Sequence, residues 1–402
     1  MNRKLLENIY ELVRQNKDYF DDFDYSLEMG NGGLLIYYYY HYHYFKEEAY
    51  LKIAREEVKK LMSTLEQGIK EFKAKYRTDS LSNSLSGLGK SLLFIEHNLD
   101  NYWAFKSIHD SLYEYFILLN KTNFKNRDFD FNSGALSIGH YFINYYAIYQ
   151  DPRSKKALLD IVEAIKENAI HHNDNEIYWK SPVLDDKIYL GLSHGSAMIL
   201  NFLNKLISLK ILKAEDKEIR VLLRKAVQFL IKQKRNYSLG LFPINYPDSK
   251  DFTPTQFSMC YGDLGILYSL YMSCKFQKNK TLENECLDLL ISCAKRKKNL
   301  ETTYDGSIIY GASGLYILFD QLCSKEPLPL FIEARDYWLD NITKYRSDEK
   351  TSYVGFKNMF EDQGVNINLS FGWGLIGIAI SLMTGYRKDM PKIDELTMIG
   401  MR

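Results

Sequence analysis

A short glycine-centred segment recurs seven times along the chain, and any fold must place the seven copies equivalently. The copies are Gly30-Asn31-Gly32-Gly33-Leu34, Ser84-Leu85-Ser86-Gly87-Leu88, Gly134-Ala135-Leu136-Ser137-Ile138, Gly195-Ser196-Ala197-Met198-Ile199, Gly262-Asp263-Leu264-Gly265-Ile266, Gly311-Ala312-Ser313-Gly314-Leu315 and Gly374-Leu375-Ile376-Gly377-Ile378. Their starts lie 54, 50, 61, 67, 49 and 63 residues apart. That spacing leaves room for two helices of roughly 15 residues plus connections. Self-similarity at such a period marks an array in which each unit covers its neighbour's apolar face.

The stretches between copies carry helical period. Ile219, Leu222, Leu223, Ala226, Phe229 and Leu230 form one stripe; Leu51, Ala54, Val58 and Leu61 form another; Leu282, Cys286, Leu289 and Cys293 a third. The stretches just after the motifs, such as Leu34 to Tyr40, Ile266 to Met272 and Leu375 to Met383, are apolar or aromatic nearly all round, as helices covered on both sides must be. Each repeat therefore predicts an inner helix beginning at the glycine motif and an amphipathic outer helix that returns. Residues without a Cβ let seven helix starts converge on one rim. An open solenoid needs distinct polar end caps, and here the first and last copies resemble the middle ones. The expectation is an all-α fold, a closed α,α-toroid of seven helical hairpins with inner and outer rings, forming one domain over residues 1–402.

The 402 residues contain only 8 prolines and no Pro-rich or Ser/Gly-rich linker, which supports one large core over several domains. Fifty-two Lys and Arg against 51 Asp and Glu leave a net charge of +1, so no global field draws nucleic acid or an anionic membrane. Met1 to Lys17 alternates charged and apolar residues and reads as a helix, not a signal peptide. No window is long and apolar enough to span a membrane. Five cysteines, all from residue 260 onward, make no disulfide framework. A cytoplasmic location is expected.

The fourth and fifth copies, read in full as Gly191-Leu192-Ser193-His194-Gly195 and Cys260-Tyr261-Gly262-Asp263-Leu264-Gly265, carry more specific chemistry. With these residues the sequence resembles the lanthionine synthetase C-like family, over nearly the whole chain. The resemblance implies a seven-hairpin toroid with zinc at its centre. In the family, zinc is held by the fifth-repeat cysteine and by an adjacent Cys-His pair before the sixth-repeat glycine. It activates a peptide cysteine for addition to dehydroalanine or dehydrobutyrine. Zinc suits that work because it binds thiolate and imidazole and keeps one position open. Cys260 matches the first ligand. The other two positions are Ile309 and Tyr310, neither a usual zinc ligand, so the resemblance implies a degenerate site and no cofactor is expected.

By the same resemblance, His194, Asp130 and Tyr261 match residues assigned to proton transfer. Gln256 stands where the family has an arginine, Met259 where it has a tryptophan, and Gln256 and Tyr310 are expected to meet the substrate. The expected partners are a peptide substrate or ligand and a dehydratase.

Taken on its own chemistry, His194 on the inner rim could exchange protons near neutral pH. Its competing reading is a histidine satisfied by a loop carbonyl. Cys260 could equally be an apolar filler, and Asp130 an N-cap. The run Tyr37-Tyr38-Tyr39-Tyr40-His41-Tyr42-His43-Tyr44 is expected to pack between layers with its hydroxyls partnered. His171-His172 is expected at a solvated helix end, and Asp21-Asp22-Phe23-Asp24 in a loop. Asp185-Asp186 and Glu361-Asp362 offer carboxylates of the kind glycoside hydrolysis needs. No phosphate-binding loop or dinucleotide fingerprint occurs.

Three functions follow as expectations. The first is thioether ring formation on a dehydrated peptide, with His194 as base and Asp130 or Tyr261 orienting it or protonating the enolate. The second is a peptide-binding scaffold without turnover. The third, on fold-level analogy alone, is carbohydrate processing.

Overall fold

The computed structural model describes residues 3–236, 240–248, 255–297, 302–347, 352–360 and 368–399. Among them are fourteen α-helices: α1 (Arg3–Gln15), α2 (Asn31–Phe45), α3 (Glu48–Glu71), α4 (Leu81–Phe94), α5 (Lys106–Asn126), α6 (Ala135–Tyr149), α7 (Pro152–Glu167), α8 (Ser196–Ser208), α9 (Asp216–Ile231), α10 (Asp263–Gln277), α11 (Lys280–Ala294), α12 (Ala312–Lys325), α13 (Pro329–Asn341) and α14 (Leu375–Tyr386). The even-numbered helices form the inner ring. Each packs on the next around the circle, and α14 returns to α2, so the ring is closed.

Inner helices are covered on every side, as their unbroken apolar sequences demand. Residues 32–41 of α2, 263–274 of α10 and 375–385 of α14 are all buried. Outer helices bury one stripe, which on α9 comprises Ile219, Leu222, Leu223, Ala226, Val227, Phe229 and Leu230. Six hairpins pair an inner helix with the outer helix that follows it. The seventh is different: α14 takes α1, from the opposite end of the chain, as its outer cover. Closure thus joins the two ends of the array, which removes the need for end caps.

Six inner helices start directly after the first glycine of their motif. The second does not: α4 begins at Leu81, three residues before Ser84, because Ser80 accepts a hydrogen bond from Asn83 N and caps an extra turn. At Gly262 the backbone sits at φ +94°, and a Cβ would collide with the Gln256 carbonyl, so only glycine fits.

The chain before each inner helix folds back tightly. Asp24, Asp128 and Asp305 stand six residues ahead of Gly30, Gly134 and Gly311, and Asn368 stands six ahead of Gly374. The carbonyl of each accepts the first helical N–H, at 2.8, 2.9, 3.0 and 2.8 Å. The three aspartates also cap the backbone N–H two residues on. Asp24 thus gives the acidic loop at 21–24 a structural job.

Two sequence expectations are corrected. His171 and His172 lie in a strand, β1 (Ile170–Asn173), paired antiparallel with β2 (Glu176–Tyr178), because α7 already ends at Glu167. A second short ladder pairs β3 (Ile188–Tyr189) with β4 (Asn245–Tyr246), and these two small ladders sit on an otherwise all-α toroid. In the tyrosine run, Tyr39 bonds Asp100 and Trp103, and Tyr40 bonds the Pro391 carbonyl at 2.6 Å. Tyr37 and Tyr38 are buried with hydroxyls that have no partner among the described residues. His41 lies between Tyr10 and Phe45, and burial pushes its imidazole down to about 3, so it is a neutral core ring.

The segment after α14 runs into the lumen. Lys392 pairs with Asp320, Asp394 with Gln321, the Glu395 carbonyl with Asn144, and the Met398 carbonyl with Asn201 at 2.6 Å. Leu396, Met398 and Ile399 are buried there. No described helix is long and apolar enough to cross a membrane.

Candidate functional site

The loops ahead of the inner helices are stitched into a circle by hydrogen bonds. Gly372 N donates to Glu28 O (2.8 Å), Ile309 N to Gly372 O (3.0 Å), Cys260 N to Ile309 O (3.1 Å), Leu192 N to Cys260 O (3.1 Å) and Phe131 N to Ser193 O (3.3 Å). The second repeat closes the gap with two hydroxyls: Ser80 Oγ donates to Ser133 O at 2.7 Å, and Tyr25 N donates to Ser84 Oγ at 3.0 Å. Because the carbonyl acceptor of every one of these backbone-to-backbone links stands two residues before its motif glycine, that step falls at the hub. Those residues include Glu28, Ser193, Cys260, Ile309 and Gly372.

One step later along the chain, the residue directly before each glycine forms the wall of a cup. His194, Tyr261, Tyr310 and Trp373 occupy that step. The His194 and Tyr261 rings lie 6.0 Å apart, as do Tyr261 and Tyr310, and Tyr310 meets Trp373 through its hydroxyl. Tyr189 and Phe360 extend the aromatic wall.

Of the sequence-predicted residues, His194, Asp130, Cys260, Tyr261 and Tyr310 converge here. His194 Nδ1 faces Asp130 Oδ2 at 2.5 Å, with side-chain exposures of 7% and 1%. Asp130 Oδ1 is held by the N–H groups of Asn132 and Ser133, so its second oxygen is aimed at the imidazole. Burial works against the charged ring, but the charge and hydrogen bond of Asp130 and the contact with Cys260 outweigh it and raise His194 to about 10. Asp128 is pushed up to about 6 by burial and by the neighbouring charge of Asp130.

Cys260 is buried on the cup floor and touches Ser193 Oγ, which also reaches the Met398 sulfur at 3.2 Å. Burial and Cys260 push the Tyr310 phenol well above its ordinary value, so it stays neutral. Gln256 is buried, and its amide turns inward to the Tyr310 carbonyl at 3.5 Å. Asp185 and Asp186 are exposed in a turn at positive φ, and Asp185 pairs with Arg77. They do not reach the cup. Glu361 and Asp362 lie outside the described residues.

The donor chemistry around Cys260 does not fit zinc. A zinc site needs three protein ligands from thiolate, imidazole or carboxylate, and no group of three such side chains converges among the described residues. Ile309 presses its side chain on Gly372, and Tyr310 brings a neutral phenol.

Several residues at the cup lay outside the sequence reading. Trp373 and Ser193 could have been found by reading these two steps, one and two before the glycine, down the seven repeats. Glu28 and Lys90, both buried, face each other at 3.9 Å. Met398 gives no local signal, since the fold carries it in from a distant segment.

The lanthionine synthetase C-like protein family matches residues 21–322. The chain belongs to this family. No curated protein matches it. Among solved structures, a nisin cyclase superposes with a TM-score of 0.68 at 16% identity, covering 95% of this chain and 94% of that one. At that identity the likeness shows the shared toroid. A family 105 glycoside hydrolase from C. acetobutylicum ATCC 824 (TM-score 0.42, 15% identity, 78% and 94% covered) and a cellobiose 2-epimerase from Bacillus thermoamylovorans B4167 (0.43, 12%, 96% and 99%) are more distant.

Proposed function

We propose that this member of the family closes thioether rings on a dehydrated peptide without zinc, using His194 as the central proton donor. The observation that carries the reading is the His194–Asp130 pair set beside Cys260 in an aromatic cup. An imidazolium there favours the thiolate form of a peptide cysteine that enters the cup. The thiolate adds to the alkene carbon of a dehydroamino acid, and the electron pair moves to the neighbouring carbonyl as an enolate. His194 Nε2, the ring nitrogen not bound to Asp130, delivers a proton to the enolate α-carbon and is recharged through solvent with the proton the thiol lost. Atoms balance, because the reaction is an isomerisation.

This differs from a histidine acting as base. A ring that stays charged near neutral pH has no free nitrogen to accept a proton, so it enters the reaction in its donor form. Tyr261 and Tyr310 exclude water from the developing charge and offer neutral hydroxyls to the peptide carbonyl. A dehydratase supplying the alkene is the expected partner, and the reaction would be at home in the cytoplasm.

A second reading draws on Tyr310, whose packing between Tyr261 and Phe360 fills the centre with bulk. On that reading the cup binds a peptide and does no chemistry. The test mixes the protein with dehydrated, cysteine-containing peptides and counts alkylatable thiols. Loss of thiol with the wild type and at least about 100-fold slower loss with His194→Ala supports the reaction, on the scale typical of a general acid. Saturable peptide binding that survives both His194→Ala and Cys260→Ala, with thiol counts unchanged throughout, supports the scaffold instead.

A further inference from the structure

We infer that a cavity between the first two repeats is a subsite for a cationic side chain, a lysine of the peptide acted on in the central cup. This deepens the cyclase reading and rests on it. The cavity has a volume of about 530 Å³ and opens between the loop ahead of α2 and the loop that joins α3 to α4. Both loops approach the N-terminal ends of inner helices, so the opening shares a face with the cup.

Its floor is rich in acceptors. Asp24 and Asp79 line it together with Asn83 on the first turn of α4, and the rest of the lining holds Lys70, Lys73 and Lys75 beside Asp21 and Glu71. Asp24 accepts from Ser26 N at 2.9 Å and from the Ser26 hydroxyl, and Asp79 uses one oxygen on the N–H groups of Lys75 and Tyr76, each at 2.9 Å. Lys75 bears on both carboxylates, but it is exposed at the mouth and holds Asp21 at 3.1 Å. Neither floor carboxylate has a cation within ion-pair distance among the described residues. Burial pushes both acids up, and Asp79 adds to the shift of Asp24. A cation on the floor would reverse that penalty.

A third acceptor stands beside them. Asn83 is 6% exposed, and its Oδ1 has no hydrogen-bond partner among the described residues. A buried carbonyl left without a donor costs free energy until something supplies one. An ammonium has three donors and no acceptor, which matches one carboxylate oxygen from each aspartate and the Asn83 carbonyl. Phe23 and Phe72 in the walls can flank the methylene stem of such a side chain.

The cavity is wired to the reaction centre. Ser80, in its wall, donates to the carbonyl of Ser133, whose own N–H is held by Asp130. On this proposal a peptide with its cysteine at His194 extends across this opening.

The test uses Nα-acetyl-lysine amide, with Nα-acetyl-norleucine amide as the uncharged control, and reads dissociation constants by ligand-observed NMR on the full chain. The lysine amide should bind at least about tenfold more tightly. Asp24→Asn and Asp79→Asn should each weaken it about tenfold, the loss of one charge-assisted hydrogen bond. Asn368 already fills the place of Asp24 in the seventh repeat with the same backbone bond at 2.8 Å, so the asparagine keeps the turn, and melting curves verify this. Equal binding of the two amides, or lysine binding unchanged in both variants, overturns the subsite. A retained lysine preference in a protein that consumes no peptide thiol would keep the ammonium site and remove the cyclase reading.

Discussion

Replacing Asp130 by asparagine tests how the cup sets the charge of its histidine. Asparagine keeps the oxygen that accepts from Asn132 and Ser133 N–H (2.8 and 3.2 Å), so the loop holds. It replaces the oxygen facing His194 with an NH₂ group, which needs an acceptor and selects the neutral ring. The wild-type imidazole, at about 10 against an ordinary 6.5, prefers its charged form by on the order of 3–5 kcal/mol once water entering the cup is allowed for. The sign follows from linkage. A raised folded value adds stability that is complete below pH 6.5 and is lost as pH climbs through 10. Wild-type stability should therefore fall between pH 7 and 10 by about that amount from this group, while Asp130→Asn should be flatter there and weaker at neutral pH. Ring ¹⁵N chemical shifts followed against pH, with urea unfolding at pH 6.5 and 9.5, measure both. A wild-type His194 titrating near 6.5, or one unmoved by Asp130→Asn, would refute the reasoning.

Other outcomes follow from particular contacts. Gly262→Ala meets a φ of +94° and the Gln256 carbonyl, and should cost about 3 kcal/mol or more in urea unfolding. Lys90→Met strands Glu28 in the core and should cost about 3–5 kcal/mol, whereas Lys90→Met with Glu28→Leu should recover most of it; a double-mutant cycle reads the difference. Met398→Ala opens space under Ser193 and should cost about 2–3 kcal/mol in thermal unfolding, with Met398→Leu costing under about 1.5.

The seven glycine motifs made the inner helices and the ring legible, because the spacing and the all-round apolar stretches admit few other arrangements. They did not show that α1 would cover α14, since that contact links the chain's two ends and leaves no local pattern. They misplaced the start of α4, where Ser80 outcompetes the glycine signal. His171 and His172 were misread because a two-strand ladder of three or four residues has too little period to stand out beside a helix end. At the site, the family resemblance led to His194, Tyr261 and Tyr310, each of which stands one step before a motif glycine. The same step also holds Trp373, which the ring geometry reveals. Asp128 and Asp305 carry no signal of their own in the sequence, and the repeated six-residue offset ties them to helix starts only once the backbone bonds are seen. Met398 could not be read at all, because only the folded lumen brings it to Ser193.

The most direct test of the account is the rate at which a dehydrated, cysteine-containing peptide loses its free thiol to this protein in the presence of a strong zinc chelator. The account predicts loss at an undiminished rate, abolished by His194→Ala. Loss that stops with the chelator and returns on adding zinc would contradict it.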